Sequence, residues 1–103
     1  MKKNKYLVML EIQIGGFEKH SRSVIEAVDE ELANAYALFA ESHCIGYLEW
    51  DSNSVSDDFG GMVYSIYKTT ELTDAQSATL EEVGFNILTA NVDELHKAGH
   101  PDY

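Results

Sequence analysis

The 103-residue sequence predicts an α+β fold: a mainly antiparallel sheet with two to three helices packed on one face, in the order β-β-α-(β)-β-α-β-α. Three observations predict it. A run with apolar residues at every alternate position from Tyr6 to Ile14, its second side apolar only at the start (Leu7, Met9), opens the chain, and a Gly-Gly pair folds it back on itself. An apolar stripe at helical spacing then follows a capping Asp. Two further capping signals, each closed by a glycine, punctuate the C-terminal third. The length suits one domain over residues 1–103, and there is no internal repeat, linker or low-complexity tract.

After a short basic start (Lys2, Lys3, Lys5), Tyr6, Val8, Leu10, Ile12 and Ile14 share one side of an extended chain, with Glu11 and Gln13 on the other. That alternation predicts a strand over 6–14. Gly15-Gly16 predicts the positive φ angles of a tight turn, with residues 17–27 returning as the paired strand. The polar middle of that strand, Lys19 to Arg22, suits an edge position. Asp29 is the expected N-cap of a helix over 30–43, where Leu32, Ala35, Tyr36, Phe39 and Ala40 make one apolar face and Gly46 is the stop. Residues 47–50 read as a short strand, and 51–61 (DSNSVSDDFGG) as a polar loop or hairpin tip. Alternation resumes over 62–70 as a strand. Thr73 with Gln76 is a capping box opening a helix to about residue 83, with Gly84 as its stop. Residues 85–88 predict a short strand. Asn91 with Glu94 repeats the capping pattern for a last helix ended by Gly99 and Pro101.

At 45% hydrophobic and 24% charged, the chain can build a core, which excludes a disordered acidic tail. Its single cysteine, Cys44, rules out an intramolecular disulfide and suits a reducing cytosol. No secretory signal pattern is visible, and the apolar runs are far too short to span a bilayer. The expected location is cytoplasmic. With a pI near 4.5, the chain should be repelled by nucleic acid and anionic membranes and attracted to basic proteins.

The charge is unevenly placed. Between Arg22 and Lys97 the only cationic side chain is Lys68, against fifteen carboxylates. Helix starts account for Asp29, Glu30, Glu31, Asp74, Asp93 and Glu94, since first-turn acids gain about 0.3–1 kcal/mol from the helix dipole. Glu41, Glu81 and Glu82 fall instead in last turns, where the dipole favours cations. Glu49, Asp51, Asp57 and Asp58 have no Lys or Arg nearby in sequence. These seven read either as a solvated surface kept soluble by charge or as a negative docking surface. Trp50, between Glu49 and Asp51, is either a core residue or an interface anchor.

Several residues carry the atoms of a metal or catalytic site without its spacing. The segment 51–57 offers Asp51 and Asn53 at alternating positions, as a calcium loop would, but Val55, Ser56 and Met62 stand where an oxygen ligand, a glycine and a bidentate Glu are needed. His96 and His100 are four apart, and His43-Cys44 adds two zinc-type ligands, yet Gly99 breaks the helix and adjacent residues rarely share one ion. Cys44 at a helix C-terminus is disfavoured as a thiolate. Asp57-Asp58 lacks the cleft-spanning separation of a hydrolase pair. Neither a Walker loop nor a dinucleotide fingerprint is present. The expectation is a non-enzyme with no cofactor and no metal.

The strand over 6–14, Gly15-Gly16, and Val24-Ile25-Glu26-Ala27-Val28-Asp29-Glu30-Glu31-Leu32-Ala33 form a hairpin leading into a capped acidic helix. That arrangement resembles small proteins encoded by phages and mobile elements. The acidity is similar to that of the DNA-mimic antirestriction and anti-CRISPR proteins among them. The resemblance covers about a third of the chain by pattern and the rest by charge, and it assigns no individual residue. It implies a non-enzymatic inhibitor occupying a basic nucleic-acid-binding groove. Duplex DNA presents about one charge per 1.7 Å of axis, so a mimic needs carboxylates spread along one face. The expected partner is therefore a basic protein or nucleoprotein complex, with a homodimer as the alternative association. The expected contacts are Glu41, Glu49, Trp50, Asp51, Asp57, Asp58, Glu81 and Glu82. The alternatives are an acidic housekeeping or oligomeric domain whose charge serves solubility only, and a metal-binding protein.

Overall fold

A computed structural model of the chain describes residues 3–42, 48–57 and 61–103. Its elements are β1 (Asn4–Ile14), β2 (Phe17–Ala27), α1 (Glu30–Ser42), β3 (Leu48–Trp50), β4 (Ser54–Asp57), β5 (Met62–Leu72), α2 (Asp74–Glu82), β6 (Ile87–Thr89) and α3 (Val92–Lys97). The α+β expectation holds, as one six-stranded sheet in the order β3-β4-β5-β1-β2-β6. Every pairing is antiparallel except β2 with β6.

β1 sits inside the sheet because its alternation is the longest and cleanest. Tyr6, Val8, Leu10 and Ile12 are all buried on one side, and β1 pairs along its whole length with β2 and along most of it with β5. The turn between β1 and β2 differs in detail from expectation. Only Gly15 has positive φ, at 58°, which is the first-position requirement of a II′ turn rather than the two positive angles of I′. Beyond Met9 the register with β5 shifts, so that Met9 faces Lys68 while Leu10 faces Ile66. The extra residue, Tyr67, is bulged out and exposed.

α1 lays Leu32, Ala33, Ala35, Tyr36, Ala37 and Leu38 into the core. Asp29 caps it, its Oδ1 accepting from the Leu32 N–H at 2.8 Å. Because several small residues line α1, the helix can approach the sheet closely. Leu95 of α3 is fully buried in the same cluster, so α1 and α3 are the two helices of that face. α2 behaves differently, with Ser77 as its one buried residue. Its capping box is complete: Thr73 Oγ1 accepts from the Gln76 N–H and Gln76 Oε1 from the Thr73 N–H. The β5–α2–β6 and β2–α1–β3 connections each join parallel strands, but in opposite directions across the sheet. The common right-handedness of such crossovers puts α2 over the reverse face. Val24, which faces Leu7 on that side, is fully buried there yet outside the cluster beneath α1.

Two segments depart from the sequence reading. The 51–61 stretch is less of a loop than expected: Asp51–Asn53 make a tight turn closed by the Asp51 N–H donating to the Ser54 carbonyl at 2.9 Å, and β4 follows. Val55 is the reason, since it is 1% exposed and packs opposite Tyr64. β6 begins two residues later than the predicted 85–88 strand, because Phe85 and Asn86 are used in leaving the glycine stop at Gly84, where φ is 106°. The expected positions His43, Cys44, Gly46, Tyr47, Asp58 and Phe59 lie outside the described residues.

Candidate functional site

The alternation of β3 decides where its side chains go. Leu48 is buried, Glu49 exposed and Trp50 half-buried, so Trp50 points to the core side and Glu49 away from it. Trp50 Nε1–H donates to the Ala98 carbonyl at 3.1 Å, which ties the edge strand β3 to the end of α3. Gly99, at φ 85°, then turns the chain back over the indole. As a result the His100 ring packs against Trp50 with centroids 4.5 Å apart and planes tilted by 57°, and Tyr103 packs against His100 at 4.8 Å and 50°. The two histidines paired by their sequence spacing are thereby separated: His96 Nδ1–H donates to the Tyr103 backbone oxygen at 2.9 Å, while His100 packs between the Trp50 and Tyr103 rings.

These rings form one wall of a cleft of about 520 Å³. α1 contributes Glu31, Asn34, Ala35 and Leu38, spaced so that they share one side of the helix. The Asp51–Asn53 turn and Asp102 complete the lining. Three carboxylates therefore border a cleft that, among the described residues, no Lys or Arg lines. All three are exposed, so their charge is available to a ligand without a large desolvation penalty already incurred.

Two groups in the cleft register this environment. Burial pushes the His100 pKa below its ordinary value, partly opposed by the negative charge of Asp102. The geometry agrees, because His100 Nδ1 accepts a hydrogen bond from the Asp102 N–H at 3.1 Å and must be unprotonated to do so. Burial, followed by the charges of Asp29, Glu31 and Asp102, raises the Tyr103 phenol. An NMR titration should thus place the His100 midpoint below 6.5, and Asp102→Asn should move it lower still by removing the charge that favours imidazolium. A midpoint that rises in Asp102→Asn would contradict this geometry. Because the folded state disfavours the charged imidazole, His100 contributes a loss of stability as pH falls through this range.

Among the described residues, the expected contacts do not converge on one surface. Trp50 and Asp51 line the cleft. Glu49 faces the other way from β3, and Asp57 ends β4 opposite Leu48. Glu41 is half-buried in the last turn of α1. Glu81 and Glu82 are exposed at the end of α2, from which the chain passes to residues 83–86 beside Arg22 and Ser23 of β2. That places them toward the sheet edge opposite β3, on the order of 20 Å away at about 4.8 Å per strand. What the structure adds to Trp50 and Asp51 is Glu31, His100, Asp102 and Tyr103. Glu31 is a helix-start acid by sequence and carries no other signal. The signal for the rest is the Gly99-His100-Pro101 break, which ends α3 and returns the chain to Trp50.

The Asp51–Asp57 stretch is a turn and a strand with Val55 in the core. Among the described residues, one trio has metal-ligating atoms mutually within 4.8 Å: Glu11, Glu18 and His20, on the exposed reverse side of the β1–β2 hairpin. Glu18 and His20 are 3.5 Å apart, and His20 packs edge-on against the bulged Tyr67.

No protein-family model, curated protein or solved structure matches this chain.

Proposed function

We propose that this chain is a small acidic binding protein that inhibits or regulates a basic, nucleic-acid-processing partner without catalysis. The observation that carries the reading is the state of its carboxylates. None of the described Asp and Glu residues whose exposure is known is buried, and among the described residues the sole ion pair joins Glu18 to His20. Charges held at the surface and left unpaired repel one another and cost stability. A complementary basic surface offsets that cost on binding, speeds encounter and makes it salt-sensitive. The DNA-mimic character suggested by the acidity belongs to this same reading.

The test is capture of partners on the immobilised chain, followed by titration of each purified partner. At stoichiometric addition the chain should lower the partner's nucleic-acid binding, and excess duplex should relieve the effect. Raising NaCl from about 50 to about 200 mM should weaken the complex by at least about tenfold, as for ligands that make many charge contacts. If no captured partner loses nucleic-acid binding, the reading fails. The dispersal of Glu49, Glu81 and Glu82 to opposite edges favours one alternative, in which charge serves solubility alone. That alternative predicts marked thermal stabilisation by the same salt and no stoichiometric complex.

A further inference from the structure

We propose that the cleft between α1, the Asp51–Asn53 turn and the segment after α3 seats an arginine side chain of the basic partner. The guanidinium lies against the Trp50, His100 and Tyr103 rings and is held by Asp51, Asp102 and Glu31. This rests on the binding reading above and specifies where the contact is made.

Four features of the cleft lead to that ligand. Its volume, about 520 Å³, falls within the roughly 300–1,000 Å³ of small-ligand pockets and exceeds what a bare ion requires. Its lining is of two kinds, with the half-buried Trp50 and Tyr103 rings offering apolar surface and three carboxylates offering acceptors. An arginine has the matching division, an alkyl stem and a charged planar head.

The carboxylates are also too dispersed for a metal ion. Among the described residues the one trio with ligating atoms within 4.8 Å of one another is at the β1–β2 hairpin, not here. Acceptors set further apart suit a group with five N–H donors fanned over a plane. Finally, the aromatic rings that line the cleft select for the kind of cation. A flat delocalised guanidinium stacks on aromatic faces, whereas a strongly hydrated ammonium gains less from them. Among the described residues no Lys or Arg lines the cleft, so none of them competes for the site.

Trp50 is the only tryptophan in the chain, so its fluorescence reports on the ring wall directly. The full chain is titrated with a tetra-arginine peptide at about 150 mM NaCl, where surface attraction is screened beyond about 8 Å, with tetra-lysine and spermine as parallel arms. Tetra-arginine is expected to give a saturable one-to-one change in Trp50 emission and to bind several-fold tighter than either comparator. The double variant Asp51→Asn/Asp102→Asn should lose roughly tenfold or more in affinity, as charge-assisted contacts are removed. Both positions are exposed, and the Asp51→Asn change keeps a side-chain oxygen able to accept from the Ser52 N–H. Glu81→Gln/Glu82→Gln removes the same charge at the far edge and should change affinity by less than about threefold.

Equal losses in the two double variants would overturn the proposal, because they would mean diffuse attraction only. So would spermine or tetra-lysine binding as tightly as tetra-arginine, or a silent Trp50. A captured partner that binds Asp51→Asn/Asp102→Asn at full strength overturns the seat while leaving the binding reading intact. A chain that binds tetra-arginine in the cleft but inhibits no partner overturns the binding reading and leaves the cleft's preference standing.

Discussion

Leu10→Ala is expected to lower the free energy of unfolding by about 2–5 kcal/mol, the range for emptying a buried leucine site that relaxes only in part. Leu10 is fully buried on β1, the strand hydrogen-bonded to β2 on one side and β5 on the other. It faces Ile66 just past the bulge at Tyr67, so neighbours on both sides are held by ladder bonds and cannot easily close the void. A domain of this size has about 5–15 kcal/mol in total, and the self-repulsion of a chain at −11 leaves less margin. At about 4–8 °C per kcal/mol, the melting temperature should fall by on the order of 10–30 °C. Met9→Ala is the control: its side chain points to the reverse face and is half-buried, so the cavity term is small. Urea denaturation followed by Trp50 fluorescence measures both midpoints. A shift for Leu10→Ala no larger than that for Met9→Ala would mean that the main core does not lie between the sheet and α1.

Most of the sheet is legible in the sequence because its signals are local. Alternation at Tyr6, Val8, Leu10 and Ile12 gives the strand, and Gly15 gives the turn. Together they dictate the β1–β2 register without reference to anything distant. The caps at Asp29, Thr73 and Asn91 are local too, and all three accept the backbone N–H that their spacing requires. β4 is not legible. Val55 is a single apolar residue among serines, and it is in a strand because Tyr64, nine positions later, offers it a partner. A tertiary contact there overrides a weak local propensity.

The site shows the same division more sharply. Seven acids stand out in the sequence because no local structural reason explains them, which is a criterion of sequence position and not of space. The cleft gathers acids by a different rule: Glu31 is at a helix start, Asp51 is in a turn, and Asp102 follows a Gly-Pro break. Two of these three, Glu31 and Asp102, carry no sequence signal of a site, because a carboxylate that opens a helix or trails one can also face a cavity. Only the return of the chain at Gly99 makes them neighbours, and the destination of that return is not encoded in the spacing.

Trp50 brings both alternatives for that residue to a single measurement. Trp50→Ala is expected to destabilise the fold by about 2–4 kcal/mol, somewhat below the range for fully buried aromatics because the indole is half-buried. Trp50→Phe keeps much of the ring area but loses the N–H donated to Ala98, leaving that carbonyl without its partner at a cost of about 1 kcal/mol. If Trp50 acted only as an outward anchor for a partner, neither change would alter stability and both would weaken binding. Its bond to Ala98 and its ring contact with His100 instead make it the tie between an edge strand of three residues and a helix of six. Neither element holds its place alone, since helices this short are marginal without packing and edge strands fray. Hydrogen exchange should therefore show faster exchange in Trp50→Ala at the α3 amides and across 98–103, with the β1–β2 ladder far less affected. Uniform loss of protection would place Trp50 in the global core. Unchanged protection with lost arginine-peptide binding would make it an anchor. Selective loss at α3 and 98–103 would show that one side chain both builds the cleft and lines it.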